Sequence, residues 1–296
     1  MVRQFEEPVT EAVRVAVSAA SDTGRVRKNN EDAFAVFNLD TGQSGLDPAV
    51  LNGAVGPQGV VLLLADGMGG EASGEVASSM CAAAVPQRLY DSLHVVPSTN
   101  DVNFGLRLRE AVEYANQLIF QKGQDEPAYR GMGCTLTLAA IRGRSLFVAQ
   151  VGDSRAYLCR NGTMVQLTRD QTYQQYLATL GIESPPGQGY GASRNILLHA
   201  VGSRETLEGV EMNCSPLRQG DRILLCCDGF YNMVRIPEDA AAIVNGSQSL
   251  TAKCQALVAR ANEAGGTDNV TVVLAEVDGS GLPPCDPSAK VYTVAY

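Results

Sequence analysis

Two short apolar runs that each end on an Asp-Gly pair constrain this chain most strongly. They are residues 60–67 (VVLLLADG) and 222–229 (RILLCCDG). Runs of this length, almost wholly apolar and closed by glycine, predict strands that are buried on both faces. If the two strands lie side by side, Asp66 and Asp228 would meet at one edge of the core. Asp-Gly is also ordinary turn chemistry, and for either pair alone a simple turn is the more frequent explanation.

Composition and charge restrict the classes of protein to which the chain can belong. Its 296 residues, 45% of them hydrophobic, suffice for one large domain or two small ones with a sizeable core. A net charge of −9 without any basic block argues against nucleic acid and anionic membranes as partners. No apolar run approaches the ~20 residues that cross a bilayer, and the acidic N-terminus lacks a signal-peptide core. We expect a soluble, cytoplasmic, monomeric protein.

The cysteines and histidines argue against a disulfide framework and against a zinc site. None of the eight cysteines belongs to a C-x-x-C pair, and most lie in apolar contexts, so we expect them to be reduced and buried. Only His94 and His199 could supply imidazole ligands, and they lie far apart in the sequence. A zinc site of the His/Cys type is therefore not expected.

The hydrophobic periodicity predicts strands in some regions and helices in others, which favours a layered α+β domain over a βαβ series. Strands are expected at residues 13–18, 33–37, 60–65, 134–141, 145–151, 154–159, 164–167, 207–214, 221–227 and 270–277. Helices are expected at about 71–93, 101–121, 240–244 and 249–264. Asn161-Gly162 is a strong hairpin signal, and residues 172–195 are irregular and long enough to be a functional flap.

Acidic residues recur at predicted strand ends and turns in five places. These are residues 30–32 (NED), 66–67 (DG), 152–155 (GDSR), 228–229 (DG) and 266–269 (GTDN). Carboxylate oxygens are ligands that Mg²⁺ and Mn²⁺ prefer, and such cations would relieve the repulsion between clustered carboxylates. Arg27 could donate hydrogen bonds from its planar guanidinium group to a phosphate. Each motif alone is more often a capped turn or a surface pair, but five in one chain are hard to dismiss.

These motifs resemble those of the metal-dependent Ser/Thr protein phosphatases, the PPM or type 2C family, in its compact bacterial form. The matching segments are residues 21–32 (SDTGRVRKNNED), 65–70 (ADGMGG), 131–136 (GMGCTL), 151–157 (VGDSRAY), 167–170 (LTRD), 224–229 (LLCCDG) and 265–271 (GGTDNVT). The resemblance covers about residues 13–277, which we take as the catalytic domain. Residues 1–12 are then an N-terminal extension, and residues 278–296 are a tail that we expect to be loosely ordered.

The resemblance implies an α+β fold of two packed antiparallel β-sheets flanked by helices on both outer faces. Two tightly held Mn²⁺ or Mg²⁺ ions would lie in a channel at one end of this sandwich. By the resemblance, Asp66 would bridge the two ions. Asp228 and Asp268 would complete the protein ligands of the first ion, and the carbonyl of Gly67 would bind the second.

The resemblance also assigns roles to four other residues and implies the reaction. Glu31 and Asp32 would hold the second ion directly or through its waters, and Asp153 would share a weaker third metal site with Asp228. Arg27 would bind the substrate phosphate. The implied reaction is hydrolysis of phosphoserine and phosphothreonine in proteins by a water or hydroxide that bridges the ions, without a phosphoenzyme.

Four positions deserve comparison with the family pattern. Met68 stands where animal relatives carry a histidine thought to protonate the leaving group, so a water on the metal would take that role here. Gln171 stands where many relatives have histidine, which bears on the loop before the flap. Cys134 and Cys227 replace hydroxyl residues, and we interpret both as packing residues. None of these changes removes a metal ligand.

Two other functions stay open at this point. A pseudophosphatase would bind a phosphoprotein or kinase without turnover, but every ligand position is filled by a competent residue. A metal-dependent phosphodiesterase or nuclease is disfavoured by the acidic balance and the missing basic stripe. The leading hypothesis is a signalling phosphatase that acts on phosphorylated proteins, including a Ser/Thr kinase or its targets.

Overall fold

The computed structural model describes residues 12–46, 53–69, 73–98, 100–182, 196–236, 238–286 and 288–295. The strands in these ranges are β1 (Arg14–Asp22), β2 (Asp32–Asn38), β3 (Val60–Met68), β4 (Gly133–Cys134), β5 (Leu136–Arg142), β6 (Ser145–Val151), β7 (Arg155–Arg160), β8 (Thr163–Gln166), β9 (Glu211–Pro216), β10 (Arg222–Cys226), β11 (Val270–Asp278) and β12 (Val294–Ala295). The helices are α1 (Ser73–Val95), α2 (Asp101–Asp125), α3 (Tyr173–Thr179), α4 (Asp228–Tyr231), α5 (Glu238–Val244) and α6 (Leu250–Glu263), with a 3₁₀ turn at Pro127–Tyr129.

The strands are divided between two sheets. The first sheet has the order β1-β11-β10-β7-β8, and the second has the order β12-β9-β6-β5-β3-β2, with β4 paired to β3. Neighbouring strands are antiparallel throughout the described residues. This arrangement confirms the α+β class and the two antiparallel sheets that the sequence predicts.

Three apolar layers hold the fold together, and they explain why the central strands are apolar on both faces. Side chains alternate between the two faces of a strand. In β3, Leu62 and Leu64 face the other sheet, whereas Leu63 packs among residues of α1 and α2. A third layer, around Phe230 and Leu257, lies between the first sheet and helices α4 to α6. The layers therefore follow the order helices, sheet, sheet, helices.

The two Asp-Gly strands do not lie side by side, contrary to the condition stated from the sequence. β3 belongs to the second sheet and β10 to the first, so the strands face each other across the sandwich. Their aspartates still converge, because Asp66 and Asp228 line the same cleft. The site is thus built from both sheets, not along one sheet edge.

Most element boundaries lie within a few residues of the prediction, although β1 continues to Asp22 and the predicted strand 134–141 is divided into β4 and β5. The sequence predicts a strand from residue 207, but β9 begins at Glu211. Gly209 has a φ of +80°, a left-handed conformation that interrupts an extended run. Helix α2 continues to Asp125, four residues beyond the predicted end, and Glu126 follows as its C-cap.

The C-terminal tail packs against the sandwich, so the expectation of a loosely ordered tail is wrong for its described residues. Leu282 is buried in the layer between the sheets. Arg160 donates a hydrogen bond to the carbonyl of Lys290, and Val294–Ala295 pair with β9. An outer strand such as β9 presents unpaired backbone groups, and the tail satisfies some of them.

Parts of two predicted segments lie outside the described residues. These are residues 1–11 of the N-terminal extension and residues 183–195 of the flap. The described start of the flap contains the short helix α3. Among the helices in the described ranges, none is long and apolar enough to cross a membrane.

Candidate metal centre

Asp32 and Asp66 lie opposite each other on the paired strands β2 and β3. Residues directly opposite on antiparallel strands have neighbouring side chains on the same face. Asp66 continues the face of Leu62 and Leu64, so its carboxylate emerges where the layer between the sheets ends. The backbone N–H of Asp66 donates to the hydroxyl of Thr135 at 2.9 Å, and its carbonyl accepts from the N–H of Thr135 at 2.8 Å. Asp66 is therefore fixed at a rigid strand end.

Asp228 and Asp268 reach the same place from the first sheet. Asp228 is the first residue of α4, just after β10, and Asp268 lies two residues before β11. Gly229 permits this approach, since a Cβ there would lie 2.0 Å from the carbonyl oxygen of Asn269 and 3.1 Å from the Cβ of Asp268. The glycine after Asp228 is thus required by packing and not only by turn chemistry.

Asn269 is a residue whose role the sequence analysis missed. Its amide oxygen accepts from the N–H of Glu31 at 2.9 Å. Its amide nitrogen donates to the carbonyls of Thr23 at 3.0 Å and Asn29 at 2.8 Å. One buried side chain therefore holds both ends of the loop that carries Arg27. Its position beside Asp268 in the GTDN motif was the available signal, because amides that satisfy several backbone groups commonly fix loops.

One cleft of about 540 Å³ is lined by Asp66, Asp228, Asp268 and Asn269. Of the residues assigned from the sequence, Arg27, Glu31, Asp66, Gly67, Asp153, Asp228 and Asp268 line it directly. Asp32 does not line the cleft, but it lies beneath it as the strand partner of Asp66. The structure thus brings together every site residue that the sequence singled out.

Burial and mutual repulsion raise the pKa values of the clustered carboxyl groups. Burial raises the pKa of Asp66 well above its ordinary value, and the charges of Asp32 and Asp228 raise it further, although part of the side chain is open to the cleft. Burial, and then the charge of Asp268, raises the pKa of Asp228. Burial raises the pKa of Asp153 to about 7, with Asp228 and Asp170 adding to it. Such a cluster favours a bound cation.

The chemistry of the donor set fits a hard divalent cation. Both carboxylate oxygens of Asp32 are buried and lack a well-formed hydrogen bond. The Thr271 hydroxyl and the Cys227 thiol lie close enough to lower its pKa, but burial outweighs them and raises that pKa to about 6. Buried carboxylates without partners are costly unless a cation compensates them.

The carboxylates in the described residues do not form a preassembled set of metal ligands. Within the described residues, no three acidic, histidine or cysteine side chains are close enough to form a ready metal cluster. Mg²⁺ and Mn²⁺ keep several waters, so they need few direct protein ligands.

Arg27 is oriented toward the cleft by one of the carboxylates. Its Nη2 donates to Oδ2 of Asp268 at 2.7 Å, while Oδ1 of Asp268 accepts from the N–H of Asn269. An arginine has five N–H donors, so most of them stay available after this contact. The guanidinium is half exposed and lines the cleft, where it can meet an anionic substrate.

Asp153 lies in a second polar network at the side of the cleft. The Tyr231 side chain lies close enough to lower the pKa of Asp153, against the larger effect of burial. The Arg155 guanidinium stacks 3.6 Å from the centroid of the Tyr231 ring and pairs with Asp170 through a contact of 2.6 Å. This network fixes Asp153 beside Asp228.

The departures from the family pattern have structural explanations. Gln171 accepts from the N–H of Gly152 at 2.8 Å and donates to the carbonyl of Gly209 at 2.6 Å, so it ties the Asp153 turn to the segment before β9. Cys134 is buried and donates to the carbonyl of Ala77, in agreement with a packing role. Met68 is partly exposed in the cleft.

We expect the metal-free protein to lose thermal stability between about pH 4 and pH 7, and the Asp32→Asn variant to lose less. Burial raises the pKa of Asp32 to about 6 in the folded state. Its protonated form therefore favours folding below the unfolded pKa, near 4, and that contribution is lost as the pH rises through about 6. Added Mn²⁺ should raise the melting temperature more at pH 8 than at pH 5, since protons compete for the same oxygens. An identical pH dependence in both proteins would contradict this assignment.

The sandwich and its acidic cleft agree with one family of enzymes. The sequence profile described as protein phosphatase 2C matches residues 37–263. The chain therefore belongs to the protein phosphatase 2C family, and it is a protein serine/threonine phosphatase. It is similar to the serine/threonine phosphatase stp of Listeria welshimeri, with 32% identity over 257 residues that cover 86% of this chain and 93% of the relative.

Solved structures give the same result. The serine/threonine phosphatase of S. agalactiae superposes with a TM-score of 0.74 at 28% identity, over 88% of this chain and 98% of that chain. The catalytic domain of the phosphatase PstP, solved in complex with two manganese ions, superposes with a TM-score of 0.70 at 32% identity, over 90% of this chain and 99% of that chain. The enzyme class predicted from the sequence is confirmed.

Proposed function

We propose that this chain is a Mn²⁺- or Mg²⁺-dependent hydrolase of phosphoserine and phosphothreonine in proteins. The observation that supports it most is the convergence of carboxylates from both sheets on one cleft beside Arg27. In this proposal Asp66 serves both ions. The remaining ligands are Asp228 and Asp268 for the first ion, the Gly67 carbonyl with Glu31 and Asp32 for the second, and Asp153 with Asp228 for a weaker third.

The protein fixes the reacting groups before substrate arrives. When bound, the ions supply Lewis acidity, which lowers the pKa of water enough to give a hydroxide nucleophile near neutral pH. Asn269 holds the loop that carries Arg27, and Thr135 holds Asp66. Arg27 offers its remaining N–H donors to the phosphate oxygens, because a planar guanidinium can form two parallel hydrogen bonds with a phosphate. Positioning and charge stabilisation of this kind dominate phosphoryl transfer.

A cysteine nucleophile is not part of this proposal. Cys227 is the cysteine nearest to the carboxylates, and burial raises the pKa of its thiol well above the ordinary value. The thiol donates to the carbonyl of Asn269 and accepts from the N–H of Thr271. A buried, protonated thiol is a poor nucleophile, so water is the better candidate for the attack on phosphorus.

Arg27→Ala should raise the KM for phosphate monoesters roughly tenfold, with a smaller fall in kcat. The lost contact acts on the phosphate in both the ground state and the transition state, so binding is affected more than chemistry. Its exposed pair with Asp268 contributes little stability. Arg88→Ala is the control, because Arg88 is exposed on α1 and does not line the cleft. An unchanged KM in Arg27→Ala would mean that another group holds the phosphate.

Asp153→Ala should slow phosphopeptide turnover on the order of 100-fold and p-nitrophenyl phosphate turnover by less than about tenfold. A serine or threonine alkoxide needs a proton to leave, whereas p-nitrophenolate does not. As a ligand of the weaker third ion, Asp153 would keep a water in the cleft that can supply this proton. Equal losses on the two substrates would exclude a role in leaving-group protonation.

One assay separates this proposal from the alternatives. Hydrolysis of a phosphothreonine peptide and of a phosphodiester is measured with Mn²⁺, with Mg²⁺ and with excess chelator. The proposal expects metal-dependent hydrolysis of the monoester, inhibition by chelator and resistance to thiol alkylation. Metal-dependent peptide binding without hydrolysis would indicate a pseudophosphatase, and preferential cleavage of the diester would indicate a phosphodiesterase.

The biological setting is part of the same proposal. We propose that the substrates include a Ser/Thr kinase or its targets and that the chain acts as a monomer. A reducing compartment such as the cytoplasm fits the eight free cysteines. We place the catalytic domain at residues 13–277, with the flap at about 172–195.

A further inference from the structure

The rim of the cleft carries apolar side chains that hydrolysis of a phosphate does not require. Val26 is 66% exposed and Met68 is 37% exposed, and both line the cleft together with Leu197. A single exposed apolar residue is common on protein surfaces. Here the exposed residues flank two groups of the proposed site, because Val26 precedes the phosphate-binding Arg27 and Met68 follows the metal ligand Gly67.

Val26 is held on a rigid loop. On one side, the N–H of Arg25 donates to the carbonyl of Gly266 at 2.7 Å and its Nε donates to the carbonyl of Asn262 at 2.6 Å. On the other side, Arg27 is paired with Asp268. Both neighbours of Val26 are thus tied to the body of the protein. Because the loop is already ordered, contact with Val26 would cost little further conformational entropy.

Leu197 is also placed by backbone contacts. It forms an isolated bridge with Thr172, and the carbonyl of its neighbour Ile196 accepts from the N–H of Tyr173 at 2.9 Å. The three apolar residues therefore come from three separately anchored segments. We call Val26, Met68 and Leu197 the apolar rim.

A phosphorylated side chain in the cleft brings its own backbone neighbours to this rim. The phosphate is drawn to Arg27, and a residue next to the phosphorylated one lies only ~3.8 Å away along the chain. An apolar neighbour would remove the exposed surface of Val26 and Met68 from water, which is favourable. The exposed Lys28 also lines the cleft, but a solvated surface charge discriminates weakly and is screened by salt.

We infer that the apolar rim selects substrates in which an apolar residue adjoins the phosphorylated serine or threonine. This inference rests on the proposed function and names the substrate class of the same site. It predicts that an apolar neighbour raises kcat/KM and that an acidic neighbour does not.

The test compares matched phosphothreonine peptides that differ only in the residues flanking phosphothreonine: both glycine, both leucine or both aspartate. With Mn²⁺, kcat/KM for the leucine peptide should exceed that for the glycine peptide by roughly three- to tenfold, as expected when about 30–50 Å² of apolar surface is removed from water. Val26→Ser should reduce this ratio to about twofold or less, and Val26→Ser combined with Met68→Ser should reduce it to about one. The ratio is the readout, because it cancels any general loss of activity.

Val102→Ser is the matched control, since Val102 is 59% exposed and lies at the start of α2 away from the cleft. It should keep the wild-type ratio. Equal rates on the leucine and glycine peptides, or a preference for aspartate governed by Lys28, would overturn the inference while leaving the phosphatase function intact. Absence of hydrolysis of every peptide would instead contradict the proposed function. Melting curves verify that each variant is folded.

Discussion

Asp66→Asn should reduce hydrolysis of phosphothreonine peptides by about 100-fold or more at saturating Mn²⁺, because Asp66 would hold both ions, and the ions would supply the Lewis acidity that activates water. The same change should stabilise the metal-free protein at about pH 8. Burial and the charges of Asp32 and Asp228 raise the pKa of Asp66, so its ionised form opposes folding and a neutral amide removes that repulsion. A loss of activity together with a gain of stability is the expected sign of a functional carboxylate.

The control for this experiment is an aspartate that does not line the cleft. Asp101 lies at the start of α2, paired with Arg142. Asp101→Asn should keep the hydrolysis rate and should not stabilise the metal-free protein. If Asp66→Asn retained more than about a tenth of wild-type activity, a bridging role for Asp66 would be excluded.

Gly67→Ala should reduce activity on a similar scale, on the order of 100-fold, and should also destabilise the fold. A Cβ at this position would lie 2.3 Å from the carbonyl oxygen of Gly74 and 2.6 Å from that of Glu31. Both are backbone atoms, so strand β3, the Glu31 loop or helix α1 must move. Overpacking of this kind typically costs about 1–3 kcal/mol or more. The displacement would also move the Gly67 carbonyl, a proposed metal ligand, and pre-organised sites lose activity steeply when displaced.

Gly246→Ala is the matched control, because a Cβ there would lie no closer than 3.2 Å to its neighbours, and the site is remote from the cleft. It should behave as the wild-type protein in both assays. Chemical denaturation gives the stability of each variant, and metal-saturated kinetics gives its activity. If Gly67→Ala were fully active, the backbone at the end of β3 could be displaced without an effect on catalysis.

The local elements of the fold are readable from the sequence because their signals are local. Asn161-Gly162 predicts a two-residue hairpin, and β7 and β8 pair around it with Arg160 opposite Thr163. Asn161 and Gly162 both have positive φ, as such a turn requires. The apolar runs before Asp66 and Asp228 likewise predict strands buried on both faces, and the three apolar layers confirm this.

Contacts between segments that lie far apart in the sequence could not be predicted from local patterns. Nothing in either Asp-Gly run says which sheet it joins, so the convergence of Asp66 and Asp228 across the sandwich depends on the whole topology. The anchoring role of Asn269 depends on backbone groups about 240 residues earlier in the chain. The packed tail depends on the exposed edge of β9. Each of these features is a long-range contact without a local pattern.

The central claim is that divalent ions held by this carboxylate cluster are required for hydrolysis. The most direct measurement determines the number of Mn²⁺ ions bound per chain by equilibrium dialysis and the rate of phosphopeptide hydrolysis on the same samples. The account predicts no hydrolysis in the metal-free protein and a rate that rises as occupancy approaches two, with both the tight binding and the rate diminished in Asp66→Asn. Full hydrolysis by a chain that holds no metal would contradict it.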